Sequence, residues 1–192
     1  MNFDPSLVKQ RGYGEYTPIP LSSLPPLFLA YAADPSDSGR IHAPIKQRWL
    51  AGDQEVVKAM NNIANLADEG LALATSRPYS SAPSPTSVAH AWAELFTRNF
   101  NSRRALFGDP SLGKDNIRMI EIARECGASA KFPGSGGAVV GIVDVEGMIA
   151  AGKLGSVATD ASLSGATEVL RKAYHKEGYV FIRLSPHEGN RN

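Results

Sequence analysis

The chain has 192 residues, 43% of them hydrophobic and 20% charged, which is room for one domain, or one domain and a short arm, around a single core. Twenty lysines and arginines against nineteen acidic residues leave a formal charge of +1, and so small an excess makes no basic field for nucleic acid. No apolar run reaches membrane length, nothing at the start reads as a secretory leader, and one cysteine, Cys126, excludes an internal disulfide framework. A reducing, cytoplasmic compartment is the expectation, with no membrane and no nucleic acid as partner.

Residues 1–23 carry Gly12, Gly14, Pro18 and Pro20 and read as an irregular arm, and residues 24–192 as one domain. Leu27–Ala32 is a short apolar strand, followed by the turn cluster Asp34-Pro35-Ser36-Asp37-Ser38-Gly39. Between 53 and 74, Val56, Met60, Ile63, Ala67 and Leu71 recur at helical steps, which predicts an amphipathic helix with these residues on its apolar face and Asp53 as its cap. Residues 76–92 form a Pro/Ser-rich insert; its low-complexity part, 76–87, holds Pro78, Pro83, Pro85 and five serines and reads as a surface excursion without a catalytic role.

Two further helices are predicted over 88–107 and 115–126. The second is capped by Asp115, turns Ile117, Ile120 and Ala123 inward, and ends on Cys126 as a buried structural thiol. A strand covers 138–144, and Gly147, Gly152 and Gly155 mark an irregular connection after it. The last elements are a helix over 161–177, between Asp160 and Gly178, and a strand over 179–184. Strand, helices, strand pair, helix, strand predicts an α+β sandwich with helices on one face of a sheet.

Chemistry concentrates in Lys131-Phe132-Pro133-Gly134-Ser135-Gly136-Gly137-Ala138-Val139-Val140-Gly141, a glycine-dense turn that runs into a buried strand. Glycines remove the Cβ atoms that keep a ligand from the backbone, and successive N–H groups in such a turn can form a nest for an anion, most often phosphate. Read alone, the stretch is equally a tight turn before a core strand. Lys131 either adds a cation to the nest or points into solvent; Ser135 either donates to a phosphate or sugar hydroxyl or serves the turn. The histidines (42, 90, 175, 187) have no metal-binding spacing, so no metal ligand is assigned, and no Ser/His/Asp set can be assembled. Arg103 and Arg104 read as stems packed over Phe100 and Phe107 or as ion-pair partners, and Trp49 and Trp92 as core or interface residues.

The glycine stretch resembles the third signature loop of the GHMP small-molecule kinases, with Pro133 where a threonine or serine is usual and Ala138 where many members keep a glycine. Leu24–Tyr31, Asp34–Arg40, Gln47–Leu50, Phe100–Arg104, Phe107–Asp109 and Asn116–Arg124 resemble, in the same order, the glucuronokinase branch of that family. The resemblance covers roughly residues 1–145 and implies the ferredoxin-like sandwich of the GHMP C-terminal domain with extra helices. The family's N-terminal phosphate loop, of PxxxGLGSSA type, does not occur in the sequence. Met1–Asp4 looks like an interior piece of a longer chain, and residues 1–23 then read as the remnant of an N-terminal domain.

The resemblance further implies the C-terminal part of an ATP- and Mg2+-dependent kinase that phosphorylates the anomeric hydroxyl of a sugar acid, D-glucuronate first among them. Alone the chain is expected to be inactive, its partner being a separate N-terminal half or a second copy. Lys131, Gly134, Ser135, Gly136 and Gly137 would form the phosphate and substrate loop; Ser36, Asp37, Ser38 and Arg40 would line the sugar site. Arg40 has the fork geometry for a carboxylate, although a solvated turn explains the same residues. No catalytic base can be named. The alternative is a non-catalytic ferredoxin-like module for binding or dimerisation.

Overall fold

The computed structural model describes residues 1–33, 43–76, 78–134, 136–155 and 160–185. Its centre is an antiparallel four-stranded sheet built from β1 (Leu27–Tyr31), β2 (Ser129–Lys131), β3 (Ala138–Ile142) and β4 (Val180–Arg183), in the order β2-β3-β1-β4. Among the described residues, α1 (Pro5–Arg11) precedes the sheet. Between β1 and β2 lie α2 (Ala43–Leu50), α3 (Gln54–Ser76), α4 (Pro85–Phe107), α5 (Asp109–Leu112) and α6 (Lys114–Glu125), and between β3 and β4 lie α7 (Val145–Ala150) and α8 (Asp160–Lys176). This strand order and connectivity are those of a ferredoxin-like sandwich, here carrying additional helices.

Alternation along the strands decides what each face meets. Phe28, Ala30, Ala130, Val139 and Phe181 are buried on one face beneath α6 and α8, which contribute Ile117, Ile120, Ala123, Ala166, Leu170 and Tyr174. Phe28 stacks on Phe181 at 5.2 Å and meets Tyr174 at 5.7 Å, and the Tyr174 hydroxyl donates to the Met119 carbonyl at 2.7 Å. This cluster joins β1, β4, α6 and α8. Phe28 lies opposite Gly141 in the β1–β3 register, and a Cβ at Gly141 would fall 2.1 Å from the Phe28 ring. The glycine is there because the ring occupies its side-chain space.

The opposite face receives α4. Ala89 and Ala93 pack on Ile142, and Thr97 and Ser129 share a hydrogen bond of 2.8 Å. Helix α3 packs on α4, but the buried stripe differs from the predicted one: Val56, Leu66, Gly70 and Ala74 are inside, while Met60 and Leu71 are 42% and 48% exposed. Trp92 of α4 lies close above Gly70, where a Cβ would come 3.5 Å from the ring, so Gly70 is on the face of α3 turned to α4.

Several ends also move. Asp53 does cap α3, accepting from the Glu55 and Val56 amides at 3.0 and 3.3 Å. Helix α4 starts at Pro85, three residues earlier than predicted, because proline at a first helical position is already set for the helix; part of the 76–92 stretch is therefore helical. The cap of α6 is Gly113 and not Asp115, which lies inside the first turn. The arm contains α1, capped by Asp4 through the Ser6 and Leu7 amides, and the irregular connection after β3 contains α7. Trp49 is 51% exposed on α2 rather than in the core. Cys126 is buried at the end of α6, and burial pushes its thiol up.

One long-range polar contact ties α4 to α7. His90 Nδ1 donates to Asp144 Oδ2 at 2.8 Å, and Asp144 Oδ1 accepts from the Gly147 amide at 3.0 Å as the cap of α7. Desolvation pulls the His90 pKa down, but the Asp144 hydrogen bond and the charges of Asp144, Glu94 and Glu146 outweigh it and hold the value above normal. A raised folded-state pKa contributes stability that is complete below the unfolded value of about 6.5 and is lost as pH rises through the folded value. The urea midpoint should therefore fall as pH rises from about 6.5, and His90→Gln should flatten that slope. Gly141→Ala should destabilise the fold by roughly 2–3 kcal/mol through overpacking against Phe28, read as a lower urea midpoint at unchanged m-value.

Candidate functional site

The β2–β3 connection is a glycine hairpin whose backbone needs two of its glycines. Gly136 and Gly137 have φ of +141° and +78°, a region that L side chains rarely adopt. A Cβ at Gly136 would also lie 2.7 Å from Asn116 Nδ2. Asn116, 5% exposed in the first turn of α6, accepts from the Gly137 amide at 2.7 Å and donates to the Leu112 carbonyl at 2.8 Å. One buried amide thus fastens the hairpin to the α5–α6 corner. Gly134 is different: a Cβ there would meet nothing within 4 Å, so no protein atom forces glycine at this position. Ser135 lies outside the described residues.

Three other elements reach the same end of the sheet. The Ala32 amide donates to the Gly137 carbonyl at 3.3 Å, so β1 ends beside the hairpin; Ser36, Asp37, Ser38 and Arg40 follow and lie outside the described residues. Helix α6 begins here with no side-chain cap on its first-turn amides. From the last turns of α4, Arg103 Nη2 donates to the Gly134 carbonyl at 3.1 Å. Its guanidinium lies 5.9 Å from the Phe107 ring and 6.0 Å from the Phe132 ring, so the expected packing of its stem is present together with a backbone contact that packing alone does not require.

Charge balance at this end is uneven. Arg104 is neutralised by Asp109 through two hydrogen bonds of 2.6 Å. Arg103 has no carboxylate partner among the described residues, and burial lowers its pKa. Lys131 is also without one; its Nζ donates to the Phe132 carbonyl at 2.9 Å and lies 5.6 Å from the Phe96 ring. Burial, then the Arg103 charge, lowers its pKa. Among the described residues no three acidic, histidine or cysteine side chains stand together as a metal cage.

Asn116 and Arg103 are the two residues that reading the sequence undervalued. A first-turn asparagine has no distinctive spacing, and an arginine flanked by phenylalanines is an ordinary packing pattern; only the long-range hairpin contacts give them their place.

The chain is thus a ferredoxin-like sandwich with helices added on its second face; at one end of its sheet a pinned glycine hairpin lies beside two cations that have no carboxylate partner among the described residues. No protein-family model matches the chain. Over 140 residues, 73% of its length, the chain is 46% identical to probable glucuronokinase 2 of Arabidopsis thaliana and 44% identical to glucuronokinase 1 of the same plant. It belongs to the GHMP kinase family, in the glucuronokinase-like branch. It spans 36% of the length of each of these relatives.

Asn116→Ala should leave the Gly137 amide without its acceptor and cost about 1–3 kcal/mol. Hydrogen exchange at Gly137 should speed up in that variant. Protection should survive in Asn116→Asp, which keeps an acceptor and loses the bond to Leu112.

Proposed function

We propose that this chain supplies the C-terminal part of an ATP-dependent sugar 1-kinase whose acceptor is D-glucuronate. The anomeric oxygen of the sugar would form a bond to the γ-phosphorus of ATP as the bond to ADP breaks, and the hydroxyl proton would pass to a base outside this chain. Such transfer depends on alignment and charge neutralisation more than on covalent help. The hairpin amides, held by Asn116, would supply donors that need no rearrangement as charge develops. Magnesium would enter on the nucleotide phosphates, which leave one or two protein carboxylates to complete its shell. The single observation that supports this reading is the meeting of the glycine hairpin, the end of β1 and the uncapped start of α6 at one end of the sheet. No helix among the described residues is long and apolar enough to cross a membrane, and a cytoplasmic site of action is part of the proposal.

A chimera tests it. In Arabidopsis glucuronokinase 1, the segment matched by this chain is replaced with the chain's own 140 residues, and phosphate transfer to D-glucuronate is followed by ADP release. Turnover is the expected result, with Gly136→Ala in the chimera lowering it at least tenfold, on the scale of one lost preorganised donor. The chain by itself should give no turnover above a host-enzyme blank. A folded chimera without activity, or an active isolated chain, overturns the proposal.

One observation favours a second reading, a binding or dimerisation module. Ile182 and Leu184, beside β1 at the β4 edge, are 42% and 39% exposed. A mass that doubles with concentration in light scattering, with no response to sugar or nucleotide, would support that reading instead.

A further inference from the structure

We infer that Arg103 and Lys131 form an oxyanion clamp beside the glycine hairpin, and that it determines specificity for the acid group of the ligand. The two side chains meet around Phe132: Arg103 lies over its ring and Lys131 donates to its carbonyl. They come from different elements, α4 and β2, so neither charge follows from the needs of a single helix or strand. Both are partly buried and neither has a carboxylate partner among the described residues, while Arg104, next in sequence to Arg103, has Asp109.

Two like charges near one another in partly desolvated surroundings repel and lose hydration, and an entering anion relieves both costs. Their hydrogen-bonding capacity is also largely unused. Arg103 spends one N–H on Gly134 and Lys131 one N–H on Phe132, which leaves a planar fork and further ammonium protons for oxygen acceptors. A carboxylate and a phosphate monoester share this chemistry.

The neighbourhood favours an anion that also carries hydroxyl groups. Asn99 stands on the same face of α4, one turn from Phe96 and one from Arg103, and its Oδ1 is buried with no hydrogen-bond donor among the described residues. A hydroxylated acid offers both the negative charge and the missing donor; inorganic phosphate offers mainly the charge. Gly134 gives the room, since its side-chain position is empty and its carbonyl is already held by Arg103. An anion on the clamp would therefore act on the hairpin through that bond. The inference rests on the kinase reading only for naming the ligand a sugar acid.

The test uses the full chain. The Arg103 Nε–H and the Gly134, Gly136 and Gly137 amides are followed by 15N NMR while D-glucuronate, inorganic phosphate or D-glucose is added. Saturable shifts with glucuronate at an affinity at least tenfold above that of phosphate assign the clamp to the carboxylate; the reverse order assigns it to a phosphate group. Glucose should move none of these signals. Arg103→Met and Lys131→Met should each weaken the anion about tenfold or more, the scale of one charged hydrogen bond, without lowering the urea midpoint, because each removes an unpaired charge. Arg103→Lys, which lacks the fork, should recover only part of the affinity.

Unmoved Arg103 signals with both anions overturn the clamp, as do methionine variants that bind normally or that lose stability without losing affinity. The two readings fail separately. An active chimera whose KM for glucuronate is unchanged by Arg103→Met removes the clamp and leaves the kinase. Phosphate binding through Arg103 beside an inactive chimera does the opposite.

Discussion

Everything at the hairpin end depends on one buried amide. Asn116 satisfies a hairpin N–H with its oxygen and a corner carbonyl with its nitrogen, because a carboxamide holds an acceptor and a donor side by side on one short, flat group. Because it sits in the first turn of α6, the position of the hairpin follows from the position of that helix. The helix in turn is fixed by Ile117, Ile120 and Ala123 in the core. The hairpin backbone is thus ordered by folding, which is the condition that the proposed preorganised anion site requires.

The core imposes the complementary constraint. Phe28, stacked on Phe181 and beside Tyr174, needs the space above Gly141, so the glycine-rich run continues into β3 for a reason unrelated to the hairpin. Glycines that look alike in the sequence therefore have three physical origins. Gly136 and Gly137 answer to backbone conformation, Gly141 to a neighbouring ring, and Gly134 to nothing in the protein. The last leaves the most open space beside the hairpin.

Much of the architecture was legible. Periodicity placed β1, β3, β4, α3, α6 and α8, and their order gave the α+β sandwich, because strong apolar repeats and short β-branched runs record burial directly. What escaped depends in part on contacts between distant residues and in part on local cap and turn signals. The face of α3 that carries Gly70 meets Trp92, α4 starts at Pro85, and α6 is capped by Gly113. Helix α1 had a readable signal in Asp4-Pro5, a cap and a first-turn proline, ahead of Gly12; the glycines and prolines nearby masked it. The glycine stretch is a hairpin at one end of the sheet. Reading it as a loop could not reveal that Arg103, some thirty residues earlier in sequence, holds its carbonyl.

The sheet is closed off at its margins by brevity. Its outer strands, β2 and β4, have three and four residues, while the two inner ones have five each. An edge that short exposes few unpaired backbone groups, so it is a poor template for another chain to add a strand. The proposed association with a copy of itself or with further kinase domains is therefore favoured through side chains on a face over backbone pairing along a rim. The specificity of that association would then be open to change by substitution, one surface residue at a time.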